Sequence, residues 1–149
     1  MQLTQFTDYS LRALIYIALQ DGKTCTIAEI ALSYNISKNH LMKVVHQLSK
    51  HNILKTIRGK GGGLLLNTTP DLINLGNLVQ KIEPNFFIVE CFDKRNNKCV
   101  ISPVCKLKKI LCEAKKNFIQ TLEQYTLRDI IQNNKELENI LIKPNNKNL

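Results

Sequence analysis

The sequence predicts a mainly α-helical protein with one small β-hairpin, and three observations support this fold class. Apolar residues recur at helical spacing in several segments of the 149-residue chain. After residues 51–52 the pattern changes to ILKTIR, GKGGG and LLLN, which is typical of a strand, a glycine-rich turn and a second strand. A further long helical pattern follows residues 102–103. We therefore expect a small helical domain that carries a hairpin, followed by one long helix.

Two helices are predicted before residue 35. The first spans about Thr7 to Gln20 and ends at an Asp-Gly pair. The second begins at the segment TIAE, in which the hydroxyl of Thr26 and the carboxylate of Glu29 can form a capping box, and it continues to residue 34. Asn35 then suits a left-handed turn, because its short polar side chain tolerates that backbone conformation.

The third predicted helix, Lys38–Lys50, follows Ser37, which is expected to cap it. Two short helices joined by a tight turn form a helix-turn-helix, and a hairpin after the second of them adds a wing. A fourth helix is expected from about Asn74, and Pro84 closes it. The sequence therefore predicts a winged helix-turn-helix domain over residues 1–83.

The C-terminal part is predicted to contain an irregular loop over residues 84–105 and then a long helix. Ser102 is expected to cap this helix, with Pro103 in its first turn. A shorter helix begins at Thr126, so that residues 103–135 form the C-terminal helical segment. Residues 143–149 are expected to be disordered.

The long helix carries an apolar stripe that its own domain is too small to cover. The stripe consists of Leu107, Leu111, Ala114, Phe118, Leu122 and Tyr125. An uncovered stripe of this length predicts pairing with a second helix. We therefore expect it to be the dimerisation helix.

Positive charge is concentrated in the predicted winged helix. The chain has a formal net charge of +9, and between residues 23 and 60 seven Lys or Arg side chains stand against the one acid Glu29. Such an excess favours a polyanionic partner. The alternative is a basic face that is merely solvated.

The first turn of the third helix and the hairpin tip are the candidate DNA-binding surfaces. In a helix-turn-helix, the N-terminal residues of the second helix meet base edges in the major groove, where Asn suits adenine and Lys suits guanine or phosphate. A glycine-rich tip flanked by cations suits contact with the backbone or the minor groove. The candidate residues are Ser37, Lys38, Asn39, His40, Lys43, Arg58 and Lys60. A winged helix that binds another protein is the alternative.

The sequence does not predict an enzyme. The glycines at residues 61–63 lie between strands and no Gly-Lys-Ser/Thr follows them, which excludes a phosphate-binding loop. No apolar segment approaches the roughly 18 residues that span a bilayer. The first 20 residues are typical of an amphipathic helix and not of a signal peptide. We therefore expect a cytoplasmic protein without a membrane partner, in which thiols stay reduced.

Four of the five cysteines lie in the segment ECFDKRNNKCVISPVCKLKKILCEA. This segment lacks the close Cys pairs that bind structural zinc. The three His residues of the chain lie in the predicted winged helix-turn-helix domain. Cys105 falls in the first turn of the predicted long helix, where the helix dipole stabilises a thiolate by about 0.3–1 kcal/mol. Cys112 and Cys25 are expected to be packed thiols. The three remaining soft thiols, at Cys91, Cys99 and Cys105, suit an iron–sulfur cluster that takes one more ligand from elsewhere.

Five segments carry a resemblance to a known family. They are LTQFTDYSLRALIYIA, ISKNHLMKVVHQLS, TIRGKGGG, CVISPVCKLKKIL and YTLRDII. Over about residues 1–135 the chain resembles the nitric-oxide-sensitive repressors within the winged-helix family that also contains the iron–sulfur regulator IscR. The resemblance implies a homodimeric DNA-binding repressor with an iron–sulfur cluster, [4Fe-4S] or alternatively [2Fe-2S], held by the three cysteines that match here.

The resemblance also implies a fourth ligand. In the nitric-oxide-sensitive branch an acidic residue of the first helix, contributed by the other subunit, completes the cluster, and Asp8 is the matching position. In IscR-like proteins a His three residues after the last cysteine is the extra ligand, and Lys108 stands there instead. This departure favours the nitric oxide branch. An oxygen-ligated iron is also the weak point of such a cluster, since a hard carboxylate matches soft iron–sulfide poorly.

Three other functions stay open. A regulator of the same family could sense iron or cluster status instead of nitric oxide. A zinc-stabilised interaction module would need no DNA affinity. A redox enzyme or electron carrier is less favoured, because no flavin or nucleotide motif accompanies the cysteines.

Overall fold

The computed structural model describes residues 2–142 and confirms the predicted fold class, which is mostly helical with one two-stranded antiparallel hairpin. The predicted disordered tail, residues 143–149, lies outside the described residues. In chain order the elements of the first half are α1 (Gln5–Leu19), α2 (Ile27–Tyr34), α3 (Lys38–Lys50), β1 (Leu54–Ile57) and β2 (Gly63–Leu66). The second half contains α4 (Leu75–Ile82), α5 (Lys106–Glu123), α6 (Leu127–Ile131) and α7 (Lys135–Leu141).

Local capping sets the bounds of the first three helices. Thr4 caps α1 by accepting a hydrogen bond from the amide of Thr7 (3.3 Å), so this helix begins two residues earlier than predicted. The capping box of α2 is confirmed, and Asn35 takes the left-handed conformation with φ 51°. Ser37 is the N-cap residue of α3, but its side chain makes no capping hydrogen bond. The prediction of a Ser37 side-chain cap was therefore wrong.

The hairpin is fastened to the helical part of the domain. Leu54 pairs with Leu66 and Ile57 pairs with Gly63 in antiparallel register. The chain before α2 adds a bridge to β2, because the amide of Cys25 donates to the carbonyl of Leu64 (3.2 Å) and the reverse bond is 2.7 Å long. The β2 strand of the hairpin is thus held by the chain between α1 and α2.

The core lies where α1 packs against α3, β2 and α6. Leu14, Leu41 and Leu48 are completely buried there, and so is Leu127 of α6. The amide of Leu127 donates to the carbonyl of Ile73 (2.9 Å), so the chain after α5 returns to the winged helix. The helix α7 was not predicted; its Leu141 is also buried in this core.

The start of the long helix differs from the prediction. The helix α5 begins at Lys106 with Cys105 as its N-cap residue, so Ser102 and Pro103 lie in the preceding turn. Ser102 is buried, and its hydroxyl oxygen accepts a hydrogen bond from the ammonium of Lys108 (2.8 Å). That side-chain contact occupies the hydroxyl that was expected to cap the helix, and the sulfur of Cys105 caps it instead.

The apolar stripe of α5 is covered unevenly. Leu111, Phe118 and Leu122 are half-buried, and α5 contacts α4. Leu107, which lies one turn before Leu111 on the same stripe, and the neighbouring Ile110 are each 60% exposed. The approach of α4 to α5 is close, since a Cβ on Gly76 would lie 2.7 Å from the backbone nitrogen of Glu123.

Candidate DNA-binding surface and cysteine loop

The helix α3 presents one buried face and one polar face. Leu41, Val44, Val45 and Leu48 are buried against the rest of the domain. Three side chains opposite this stripe, Asn39, Lys43 and His46, are exposed and follow the helical spacing of one face. The second helix of the helix-turn-helix therefore offers a continuous polar surface to a ligand.

His40 is exposed on α3 and also contacts α1. Its ring centroid lies 6.0 Å from that of Tyr9 on α1, with an angle of 40° between the ring planes. Lys38 is exposed at the start of α3. Sequence reasoning missed His46 and Met42, both exposed, although their spacing of seven and three residues from Asn39 would have identified them.

The predicted wing residues lie at the exposed hairpin tip. Arg58 and Lys60 are both exposed. Between and after them, Gly59 (φ 97°) and Gly61 (φ 80°) adopt backbone conformations that side chains disfavour. The hydroxyl of Thr24 donates to the carbonyl of Gly61 (2.9 Å), which fixes the tip without covering the two cations.

The loop that carries the first two candidate cysteines is ordered by side-chain hydrogen bonds. Cys91 lies in a short 3-10 helix, Glu90–Phe92. The carboxylate of Glu90 accepts the amide of Lys98, and the side chain of Asn97 accepts the amide of Cys99 (3.0 Å). Both thiols are partly exposed. Glu90 therefore connects the Cys91 turn with the chain just before Cys99.

Cys105 has a more specific position at the N-terminus of α5. Its sulfur accepts the amide of Lys108 (3.4 Å), as a capping side chain does. The unpaired N–H groups and the positive end of the dipole of this 18-residue helix therefore lie at the sulfur.

The other two cysteines differ from each other. Cys25 is buried as predicted, and desolvation raises the pKa of its thiol to about 12, with Glu29 adding to the effect. Cys112 is exposed, so the prediction of a packed thiol was wrong at that position.

The chemistry of the candidate donors fits an iron–sulfur cluster, because Cys91, Cys99 and Cys105 are free, partly exposed thiols of one loop. The structure does not bring them together in one protomer. Within residues 2–142 no group of three or more His, Cys, Asp or Glu side chains is close enough to hold a metal ion.

The fourth candidate ligand, Asp8, is engaged in its own protomer. Two hydrogen bonds of 2.8 and 3.0 Å join its carboxylate to the guanidinium of Arg12, and both side chains are 44% exposed. The guanidinium also lies 6.0 Å from the ring centroids of Tyr9 and Tyr34. Asp8 and Arg12 line a cavity of about 620 Å³ that extends to Asn35 in the helix-turn-helix turn.

A helix-turn-helix with an exposed polar second helix and a cationic wing is the architecture of a winged-helix DNA-binding regulator. Residues 3–133 match the Rrf2 family model, whose description is iron-dependent transcriptional regulator. The chain belongs to the Rrf2 family of transcriptional regulators, and these are not enzymes.

Similar proteins agree with this assignment. The chain is 49% identical over 142 residues to the HTH-type transcriptional regulator NsrR of Bacillus subtilis, covering 95% of this chain and 97% of that protein. It is 47% identical over 146 residues to NsrR of Halalkalibacterium halodurans, covering 97% of this chain and 100% of that protein. The solved structure of T. potens IscR has the same fold, with a TM-score of 0.72 and 20% identity. The match covers 93% of this chain and 91% of that one. No helix in the described part of the chain is long and apolar enough to cross a membrane.

Proposed function

We propose that the chain is a homodimeric, cytoplasmic transcription repressor that senses nitric oxide. In this proposal α3 and the wing bind operator DNA, and Cys91, Cys99 and Cys105 hold an iron–sulfur cluster, [4Fe-4S] or alternatively [2Fe-2S]. The observation that carries it is the loop of three free, partly exposed thiols, one of which caps α5, in a chain 49% identical to a regulator named NsrR.

Dimerisation would use the exposed apolar side chains of α5. Leu107 and Ile110 are exposed there, and Val104 just before the helix is 80% exposed. Large apolar side chains grouped in this way are a typical protein–protein contact. A two-fold dimer would present two α3 helices to the two halves of a pseudo-palindromic operator.

The signal would reach the DNA-binding surface through α1. When bound, the cluster would supply iron that reacts with nitric oxide. Asp8 of the partner subunit is the proposed fourth ligand, and the same carboxylate has an alternative partner in Arg12. The next residue, Tyr9, packs against His40 of α3. A carboxylate that exchanges between two partners would therefore shift the equilibrium between operator-binding and non-binding arrangements of α1 and α3.

Sensing of iron or cluster status is the second candidate. The family description, iron-dependent transcriptional regulator, favours it. The same cysteines and the same DNA-binding surface would serve both signals. The two candidate functions differ in the signal that releases the operator. It is nitric oxide in the first and loss of iron supply in the second.

Anaerobic reconstitution with iron and sulfide tests the proposal. We expect a brown protein with iron and acid-labile sulfide in wild type and in Cys112→Ala, and loss of both in Cys91→Ala. Operator binding, followed by fluorescence anisotropy, should fall on addition of nitric oxide. A colourless protein with one zinc per chain would contradict the cluster. Release by an iron chelator but not by nitric oxide would favour the second candidate.

A further inference from the structure

Met42 is an apolar side chain on the otherwise polar outward face of α3. It is 50% exposed, and the other exposed side chains of that face are amides, cations or imidazoles. It lies one helical turn after Asn39 and one turn before His46, so the three follow one another along the helix. Its position therefore coincides with the surface that meets base edges in a helix-turn-helix.

Packing within the protomer does not account for Met42. The helix is held to the core by Leu41, Val44, Val45 and Leu48, which are at most 8% exposed. Met42 belongs neither to the core cluster of the described residues nor to the partly buried side chains packed against it. Exposure alone carries little weight, because Leu32 on α2 is 84% exposed. The distinguishing feature of Met42 is its place between Asn39 and His46.

We propose that Met42 reads the C5-methyl group of a thymine in the major groove. This assignment rests on the proposed binding of operator DNA. Thymine presents a methyl group in the major groove, and apolar side chains recognise it by contact. The flexible thioether of Met adapts its shape to such a contact. Three residues of helix rise about 4.5 Å, so the thymine lies one or two base pairs from the base that Asn39 contacts.

The test compares thymine with deoxyuridine, which pairs identically and lacks only the methyl group. The operator is first selected from random duplexes with the anaerobically reconstituted protein. Each thymine is then replaced in both half-sites, and affinity is measured by fluorescence anisotropy. Burial of one methyl group predicts a loss of about fourfold per half-site at one position, or about fifteenfold for the dimer.

Variants test whether Met42 causes the difference in affinity between the thymine and deoxyuridine operators. Met42→Ala should bind the thymine and deoxyuridine operators equally, and Met42→Leu should keep most of the difference, since both Leu and Met are large and apolar. Leu32→Ala, which removes an exposed apolar side chain from α2, should behave as wild type. Circular dichroism and thermal unfolding of each variant check that the fold is intact.

Three results overturn the assignment, and they are distinguishable. Failure to enrich any duplex contradicts the proposed DNA binding and this assignment with it. An operator in which no thymine responds to loss of its methyl group contradicts methyl readout alone. A response that persists unchanged in Met42→Ala shows that another residue contacts the methyl group.

Discussion

The ring centroids of Tyr9 and His40 lie 6.0 Å apart, with an angle of 40° between the ring planes. The helix α1 therefore contacts the first turn of α3. Tyr9 is itself positioned by its neighbours on α1. The side-chain amide of Gln5 donates to its hydroxyl (2.8 Å), and the guanidinium of Arg12 lies 6.0 Å from its ring. Tyr9 therefore joins the N-terminal half of α1 to His40.

The first prediction concerns this contact. Tyr9→Ala should lower operator affinity by about two- to tenfold, since an aromatic pair contributes about 0.5–1.5 kcal/mol. The salt dependence of binding should not change, because Tyr9 makes no contact with phosphate in this account. Tyr9→Phe keeps the ring and should keep the affinity. Fluorescence anisotropy that shows the same affinity for Tyr9→Ala and wild type would mean that the contact does not position His40 for binding.

The wing and α3 should differ in what they contribute to DNA binding. Lys60→Ala should weaken binding to every duplex alike and reduce the slope of log affinity against log salt by about one phosphate contact. Asn39→Ala should instead reduce discrimination between operator and mutated sites by about 1–3 kcal/mol. Lys116→Ala removes an equal charge from an exposed position of α5 and serves as the control. Equal loss of discrimination in the Lys60 and Asn39 variants would refute this division of roles.

The exposed and the half-buried apolar side chains of α5 predict two different mutant phenotypes. Ile110→Glu would place a charge in the proposed dimer contact and should give a folded monomer in light scattering. Phe118→Glu should lower the melting temperature instead, since Phe118 lines a cavity of about 170 Å³ with Leu3 and Phe86 in its own protomer. Gln120→Glu, at an exposed position, should leave both properties unchanged. A dimeric Ile110→Glu protein would place the interface elsewhere.

The buried thiol of Cys25 predicts an alkaline effect on stability. Burial raises its pKa from 9.0 to about 12, so the folded state holds the proton more tightly than the unfolded chain does. The resulting stabilisation is fully present below about pH 9 and is lost progressively between about pH 9 and 12. The difference in unfolding free energy between wild type and Cys25→Ala should therefore shrink above pH 9 in urea titrations. A difference that grows with pH would contradict the burial of a neutral thiol.

Alkylation with iodoacetamide at pH 8 is a second test of the burial of the Cys25 thiol. In cluster-free protein we expect alkylation of the exposed Cys112, whereas Cys25 should react only after unfolding, because little thiolate forms there. Mass spectrometry of the peptides distinguishes the two sites.

Local chemistry explains which elements the sequence predicted correctly. The capping box at Thr26, the left-handed Asn35 and the glycine-rich tip after Arg58 involve residues within a few positions of each other, and all three appear in the structure. Each is set by short-range hydrogen bonds or backbone sterics, which a single sequence contains in full. The helix-turn-helix and the hairpin follow from them.

Side-chain partners outside the helical pattern could not be predicted from the sequence. Ser102 resembles a helix cap in the sequence, but its hydroxyl binds Lys108 six residues later. The coverage of the α5 stripe depends on the rest of the fold, since Phe118 is half-buried and Leu107 on the same stripe is 60% exposed. His40 stays a candidate DNA-binding residue, and its contact with Tyr9 depends on the packing of α1 against α3. None of these partners is visible from local spacing.

Operator affinity of Cys99→Ala tests the central proposal most directly. Wild type and the control Cys112→Ala, reconstituted anaerobically, should bind a selected operator tightly and release it on addition of nitric oxide. Cys99→Ala should lose iron, bind the operator weakly and show no response to nitric oxide. A Cys99→Ala protein that lacks iron, binds as tightly as wild type and still releases the operator with nitric oxide would contradict the account.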